Sequence, residues 1–245
     1  MNIIYRTSEI AKKSGVHPNT IRFYEEIEFL PPVSRKANGY RVFTDVHLEQ
    51  LKLIKIALRC EMLQSNLRKK AIEIIRLCAD SNYKEALAKA KIYQSLIHSE
   101  KEKAEEAVRL VHDFLIKQDN SADSLCLTRN ETAKLLDIKI DALRNWELNG
   151  LIEVPRKVNG YRVYTDKEIN KLKIIRTLRH ANYSLMSILR MLNHLQNGAN
   201  ADLRLILDTP GPDEDIIYVT DRLLTSLSRA EQDASEMIAH ITKIK

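Results

Sequence analysis

Residues 34–45 read SRKANGYRVFTD, and residues 155–166 read PRKVNGYRVYTD. Nine of the twelve positions are identical, so one unit occurs twice. The likeness continues upstream. Ile10-Ala11-Lys12 aligns with Thr132-Ala133-Lys134, and Ile21-Arg22-Phe23-Tyr24-Glu25 with Leu143-Arg144-Asn145-Trp146-Glu147. The offset is 122 residues upstream and 121 downstream, so one residue is missing from the second copy between Ile152 and Pro155.

Each copy reads as two short helices followed by a hairpin. Thr7 or Ser8 can cap a first helix, Gly15 ends it, and Pro18 suits the first turn of a second helix running to about Glu26. Two helices about a tight turn form a helix-turn-helix, whose second helix enters the major groove of DNA. Asn19, Thr20, Arg22, Phe23 and Tyr24 are the candidates to face it. Pro31-Pro32 then stops helical structure. Asn38-Gly39, two residues that tolerate positive φ, predicts a hairpin with strands at Val33–Arg35 and Tyr40–Phe43. Arg35, Lys36 and Arg41 make this wing cationic. Thr44-Asp45 starts a longer helix with Leu48, Leu51 and Ile54 or Lys55 along its apolar side, and another helix covers Asn66–Cys78. In the second copy Thr128 caps, Asp137 replaces Gly15 in the turn, and Arg144 and Trp146 lie on the second helix. Arg156, Lys157, Asn159-Gly160 and Arg162 form the wing, and Thr165-Asp166 caps the next helix.

Charge follows the duplication. Residues 1–79 and 128–195 each carry +6, whereas residues 80–127 carry −2 and 196–245 carry −4. Two phosphate-facing modules joined by acidic, solvated helices give this pattern. Other classes are disfavoured. No apolar run is long enough for a membrane span, and the first residues do not read as a secretion signal. Three widely spaced cysteines suggest no disulfide framework, which suits a reducing cytoplasm. Phosphate loops, nucleophile elbows and metalloprotease helices are absent, so no enzyme is expected.

Each copy leads into a long helix. Tyr83, Leu87, Ala90, Gln94, Ile97, Lys101, Ala104, Val108, Val111 and Leu115 fall at heptad spacing. Ile216, Leu223, Leu227, Ala230, Ala234, Met237, Ile241 and Ile244 give a second stripe. The expected organisation is a DNA-binding domain at 1–79, a long helix at 80–118, a linker at 119–126, a second DNA-binding domain at 127–196, a connection at 197–214 and a last helix at 215–245. The connection would hold one or two helical turns at Leu203–Leu207. A helix over Tyr83–Gln118 would be roughly 54 Å long. Paired antiparallel with the last helix, its far end would lie beside the start of that helix.

The string IRFYEEIEFLPPVSRKANGYRVFTD, Ile21 to Asp45, resembles the MerR-type regulators. The resemblance implies a mainly α fold: two winged helix-turn-helix domains, each followed by a long helix, with the long helices pairing as an antiparallel coiled coil. It also implies a cytoplasmic, nucleoid-associated bacterial protein that binds double-stranded promoter DNA. Such proteins bend and untwist DNA so that RNA polymerase, a further implied partner, engages both promoter elements. Carried over by position, the DNA contacts are Arg22, Phe23, Tyr24, Tyr40 and Arg41, and in the second copy Arg144, Asn145, Trp146, Tyr161 and Arg162. Arg156 and Lys157 join them as wing cations.

The second copy departs from the pattern, with Asp141 for Asn19, Asn145 for Phe23 and Trp146 for Tyr24. Asp141 is read as a helix N-cap, or else as an acceptor for cytosine N4. The halves then read unequal sites, or the second binds more weakly. Metal-sensing relatives place cysteines near Cys78 and Cys126, but neither has a companion ligand, so no metal or cofactor is expected. Cys60 and Cys78 read as core. No effector domain is expected after the last helix. A monomer acting as a pseudo-dimer is the expected state, with a swapped homodimer left open. An architectural DNA-bending protein, such as an excision factor or nucleoid organiser, is the alternative function. A protein-binding scaffold is a third.

Overall fold

The computed structural model describes residues 4–59, 65–116, 125–196, 202–210 and 219–245. Its contacts group the chain into two compact units. The first comprises Met1–Ser99 and Leu227–Lys245, and the second Glu100–Ser226.

In the first unit, α1 (Thr7–Ser14) ends at Gly15, whose φ of +65° only glycine adopts without strain. Pro18 opens α2 (Pro18–Glu26), and His17 Nδ1 accepts from Asn19 N at 3.2 Å. The strands are β2 (Ser34–Arg35) and β3 (Arg41–Thr44), joined by an unforeseen β1 (Ile4–Tyr5). β3 lies in the middle, antiparallel to both, with Tyr5 opposite Phe43 and Arg35 opposite Arg41. α3 (Asp45–Ala57) begins at Thr44, and α4 (Ser65–Ala79) follows. Ile10, Ile21, Phe43, Leu51, Ile54 and Ile74 are fully buried and form the core. Gln50 ties the loop after α2 to α4, its amide donating to Phe29 O at 2.9 Å and to Ile75 O at 2.8 Å.

The wing turn differs from its expected form. Only Gly39 takes positive φ (+81°), and the loop has three residues, closed by Lys36 N to Tyr40 O at 2.9 Å. This is the turn-plus-bulge hairpin rather than the two-residue Asn-Gly turn. Asn38 contributes its side chain instead, accepting from Tyr40 N at 3.3 Å. The second unit repeats the arrangement at Lys157–Tyr161, with Gly160 at +80° and Asn159 Oδ1 accepting from Tyr161 N at 3.2 Å.

α5 (Tyr83–Ile116) covers the first long helix, and residues 117 and 118 of the expected span lie outside the described residues. Its seam is turned from the expected one. Ala90, Ile97, Ala104 and Val111 are buried as foreseen, but Ala86, Tyr93 and Ala107 complete the stripe. Leu87, Gln94, Lys101 and Val108 are only half-buried. The alternating steps of three and four run in the opposite phase, which takes Lys101 off the seam. Within the first unit α5 meets the end of the chain antiparallel: Gln94 Nε2 donates to Ser235 Oγ and His98 pairs with Glu231, both at 2.8 Å. Arg59 further bonds Asp233 at 2.7 Å and Glu236 at 2.8 Å.

The second unit contains α6 (Arg129–Leu135), α7 (Ile140–Leu148), α8 (Asp166–His180), α9 (Leu185–Gln196) and α10 (Leu203–Asp208). Asp137 takes φ +48° where Gly15 stands in the first unit. Its wing is reduced to single bridges, Arg156 with Arg162 and Leu127 with Tyr164. Tyr183 is fully buried and donates to Ala104 O of α5 at 3.3 Å. A short 3₁₀ turn, Val219–Arg222, precedes α11 (Leu223–Ile244). On α11, Leu223, Leu227, Ala230, Ala234, Met237 and Ile241 are buried as the stripe predicted, and Ile244 is half-buried. Ile216, Cys60 and the linker 119–124 lie outside the described residues, as do 197–201 and 211–218 of the connection. No described helix is long and apolar enough to cross a membrane.

Candidate nucleic-acid interface

α2 divides by helical spacing. Ile21 is fully buried, while Asn19, Arg22 and Phe23 face solvent and Thr20 is half-buried. Arg22 Nη1 donates to Asn19 Oδ1 at 3.2 Å, which lays the guanidinium along the helix. Phe23 is 53% exposed, a large ring left out of the core. Tyr24 is half-buried and stacks on Phe29 with ring centres 5.9 Å apart, and burial raises its phenol above the ordinary range. On the wing, Arg35 and Lys36 are exposed and Tyr40 is 71% exposed. Exposed cations beside exposed aromatic rings can take phosphate and base edges together.

Arg41 was expected to reach DNA, but its Nε donates to Glu25 on α2. Arg35 also approaches Glu25, at 3.6 Å. The acid therefore ties the wing to the second helix and fixes the angle between them. The second unit builds a fuller version. Glu147 accepts from Arg162 Nε at 2.7 Å, from Arg129 Nη2 at 2.8 and 2.9 Å, and from the Tyr164 hydroxyl at 2.6 Å. Burial alone would raise its carboxyl; the Tyr164 hydrogen bond and the two arginines outweigh that and hold it below the usual range. Sequence reasoning missed both glutamates. The available signal was an acid kept in both copies of a basic module, at matched positions.

α7 exposes Asp141, Arg144 and Asn145. Two expectations fail here. Trp146 is 6% exposed, so its indole belongs to the core and is withdrawn from any groove. Asp141 is no N-cap. Lys139 holds that position, and Asp141 sits two residues on, within the first turn, 3.4 Å from Arg144 Nη1. On the second wing Arg156 and Lys157 are exposed, Tyr161 is 75% exposed, and Arg156 Nη1 donates to Gly160 O at 3.1 Å. Beside each wing lies a cleft with matched linings. Arg6, Lys36, Tyr40 and Arg41 border the first, and Thr128, Lys157, Tyr161 and Arg162 border the second.

Cys78 is buried, and burial pushes its thiol up to about 12; Cys126 is exposed. Among the described residues no three His, Cys, Asp or Glu side chains gather as a metal site would need.

Residues 6–43 match the model of the MerR family regulatory protein, and residues 127–195 match that of the MerR HTH family regulatory protein. The chain is 46% identical over 50 residues to the HTH-type transcriptional regulator CueR of Salmonella typhi, covering 20% of this chain and 36% of that protein. It is equally similar to CueR of Yersinia pestis, with the same coverage. With the HTH-type transcriptional regulator ZntR of Escherichia coli (strain K12) it shares 39% identity over 54 residues, 22% of this chain and 38% of that protein. The chain thus spans little more than a third of the length of these relatives. No solved structure gives a significant match.

Proposed function

We propose that this chain, which carries two MerR-type winged helix-turn-helix units in tandem, is a sequence-specific transcriptional regulator of promoter DNA. One observation carries the reading: both units expose an arginine on the second helix together with a cationic, tyrosine-bearing wing. The second helix would enter the major groove, and Arg35, Lys36, Arg156 and Lys157 would take phosphates on either side. Arg41 and Arg162, engaged by Glu25 and Glu147, hold the wings at a set angle. A rigid angle between helix and wing lets binding energy be spent on deforming the duplex rather than on ordering the protein.

The chain acts as a single-chain pseudo-dimer, its two units taking the places of two subunits. The antiparallel contacts of α5 with α11 in the first unit support this, as does the positive charge divided equally between the repeats. Bound between promoter elements, it bends and untwists the spacer so that RNA polymerase engages both. Footprinting on the chain's own promoter tests the role. Protection between the two elements is expected, whereas protection at scattered or recombination sites points to an architectural protein. Light scattering tests the assembly: a monomer mass is expected, and a stable dimer overturns the pseudo-dimer.

A further inference from the structure

α2 and α7 occupy equivalent places, each anchored by one fully buried residue, Ile21 or Leu143. Exposed differences between them are therefore differences in what each offers a groove. At one such position Phe23 stands opposite Asn145. The half-exposed Phe23 ring is an apolar surface on a polar helix face, the chemistry that meets the C5-methyl of thymine. The exposed Asn145 carries an amide donor and acceptor in one plane, the chemistry that pairs with adenine N6 and N7.

A second position, one turn earlier, has Asn19 opposite Asp141. Both accept from the arginine three residues on, Arg22 at 3.2 Å and Arg144 at 3.4 Å. With Lys139 as the cap, Asp141 has no capping work, and its side chain is 87% exposed. A carboxylate there accepts from cytosine N4 and repels the acceptor atoms of guanine. Asn19, which also carries a donor, makes no such exclusion.

We propose that Asp141 and Asn145 are specificity-determining residues that make the second unit read a half-site unlike the first. The second half-site carries an adenine facing Asn145 and a cytosine facing Asp141, where the first carries a thymine facing Phe23. The natural target is an asymmetric duplex, and the chain binds it in one orientation. This rests on the DNA-binding reading above.

The test is selection of bound duplexes from a random pool by the full chain and by two exchange variants, D141N/N145F and N19D/F23N. The unaltered chain should enrich two unlike half-sites. D141N/N145F should make the second resemble the first, and N19D/F23N the reverse, each changing base preference at the affected positions about 10-fold. Both variants alter exposed residues, so melting midpoints should stay near that of the parent; if one fails to fold, the other carries the test. Two alike half-sites from the parent chain overturn the inference, as do unchanged preferences in a folded variant. If the parent chain enriches no sequence at all, the proposed function fails instead.

Discussion

At the scale of single residues, the decisive side chains are the ones that do not face DNA. Trp146 stands where Tyr24 stands in the first unit, yet it is 6% exposed. Trp146→Ala should therefore cost about 3–5 kcal/mol of stability, read from chemical denaturation, whereas Phe23→Ala should leave stability nearly unchanged and weaken binding to duplex DNA. Glu147 makes the second such case. Removing its charge leaves Arg129 and Arg162 facing each other without compensation, so Glu147→Gln should cost about 2 kcal/mol at neutral pH. Its folded carboxyl titrates below 4.5, so the stability it adds is present above that value and is lost as pH falls through the lower, folded value. The gap between parent and variant should be constant above about pH 5.5 and close below pH 4.5; a gap unchanged down to pH 3 would show that Glu147 acts by shape alone. On the wing, Lys36→Ala should lower the salt slope of DNA binding by about one, the mark of one phosphate contact. Arg41→Ala should loosen the wing instead.

At the scale of elements, local signals were legible and long-range pairings were not. Gly15, Pro18 and Thr44 mark helix boundaries through the backbone they require, and the helices begin and end there. The wing turn was placed correctly but given the wrong geometry, because Asn-Gly serves two hairpin types, and the three-residue loop asks positive φ of the glycine alone. β1 has two residues and so no periodicity to read. The seam of α5 was read one position off on one side, because Leu87 and Val108 are apolar neighbours of the buried Ala86 and Ala107 and pattern alone cannot choose between them. Two substitutions test this level. Gly39→Ala should cost about 1–2 kcal/mol, since its Cβ would meet nothing within 4 Å and only the left-handed backbone is strained. Tyr93→Ala should cost about 3 kcal/mol and Gln94→Ala less than about 1, both by denaturation; the reverse order would restore the seam first read from the heptads.

At the scale of the whole molecule, the first compact unit is built from both ends of the chain, Met1–Ser99 with Leu227–Lys245. No single cut in the sequence releases it whole. The reason lies in what α11 brings: Leu227, Met237 and Ile241 are buried, and Asp233, Glu236 and His240 meet Arg59 and Glu49. Burying three such apolar side chains contributes roughly 5–9 kcal/mol, comparable to the whole stability of a small domain. Removing residues 227–245 should therefore strip amide protection from α1, α3 and α4, while α6–α9, in the other unit, keep theirs. Hydrogen exchange on the truncated chain reads this directly. Equal loss in both units would mean that the chain folds as one cooperative body, and no loss in the first would mean that the C-terminal helix adds nothing to it. Such closure between distant ends also raises the sequence separation of native contacts, so the first unit should complete its folding only after the last helix has been made.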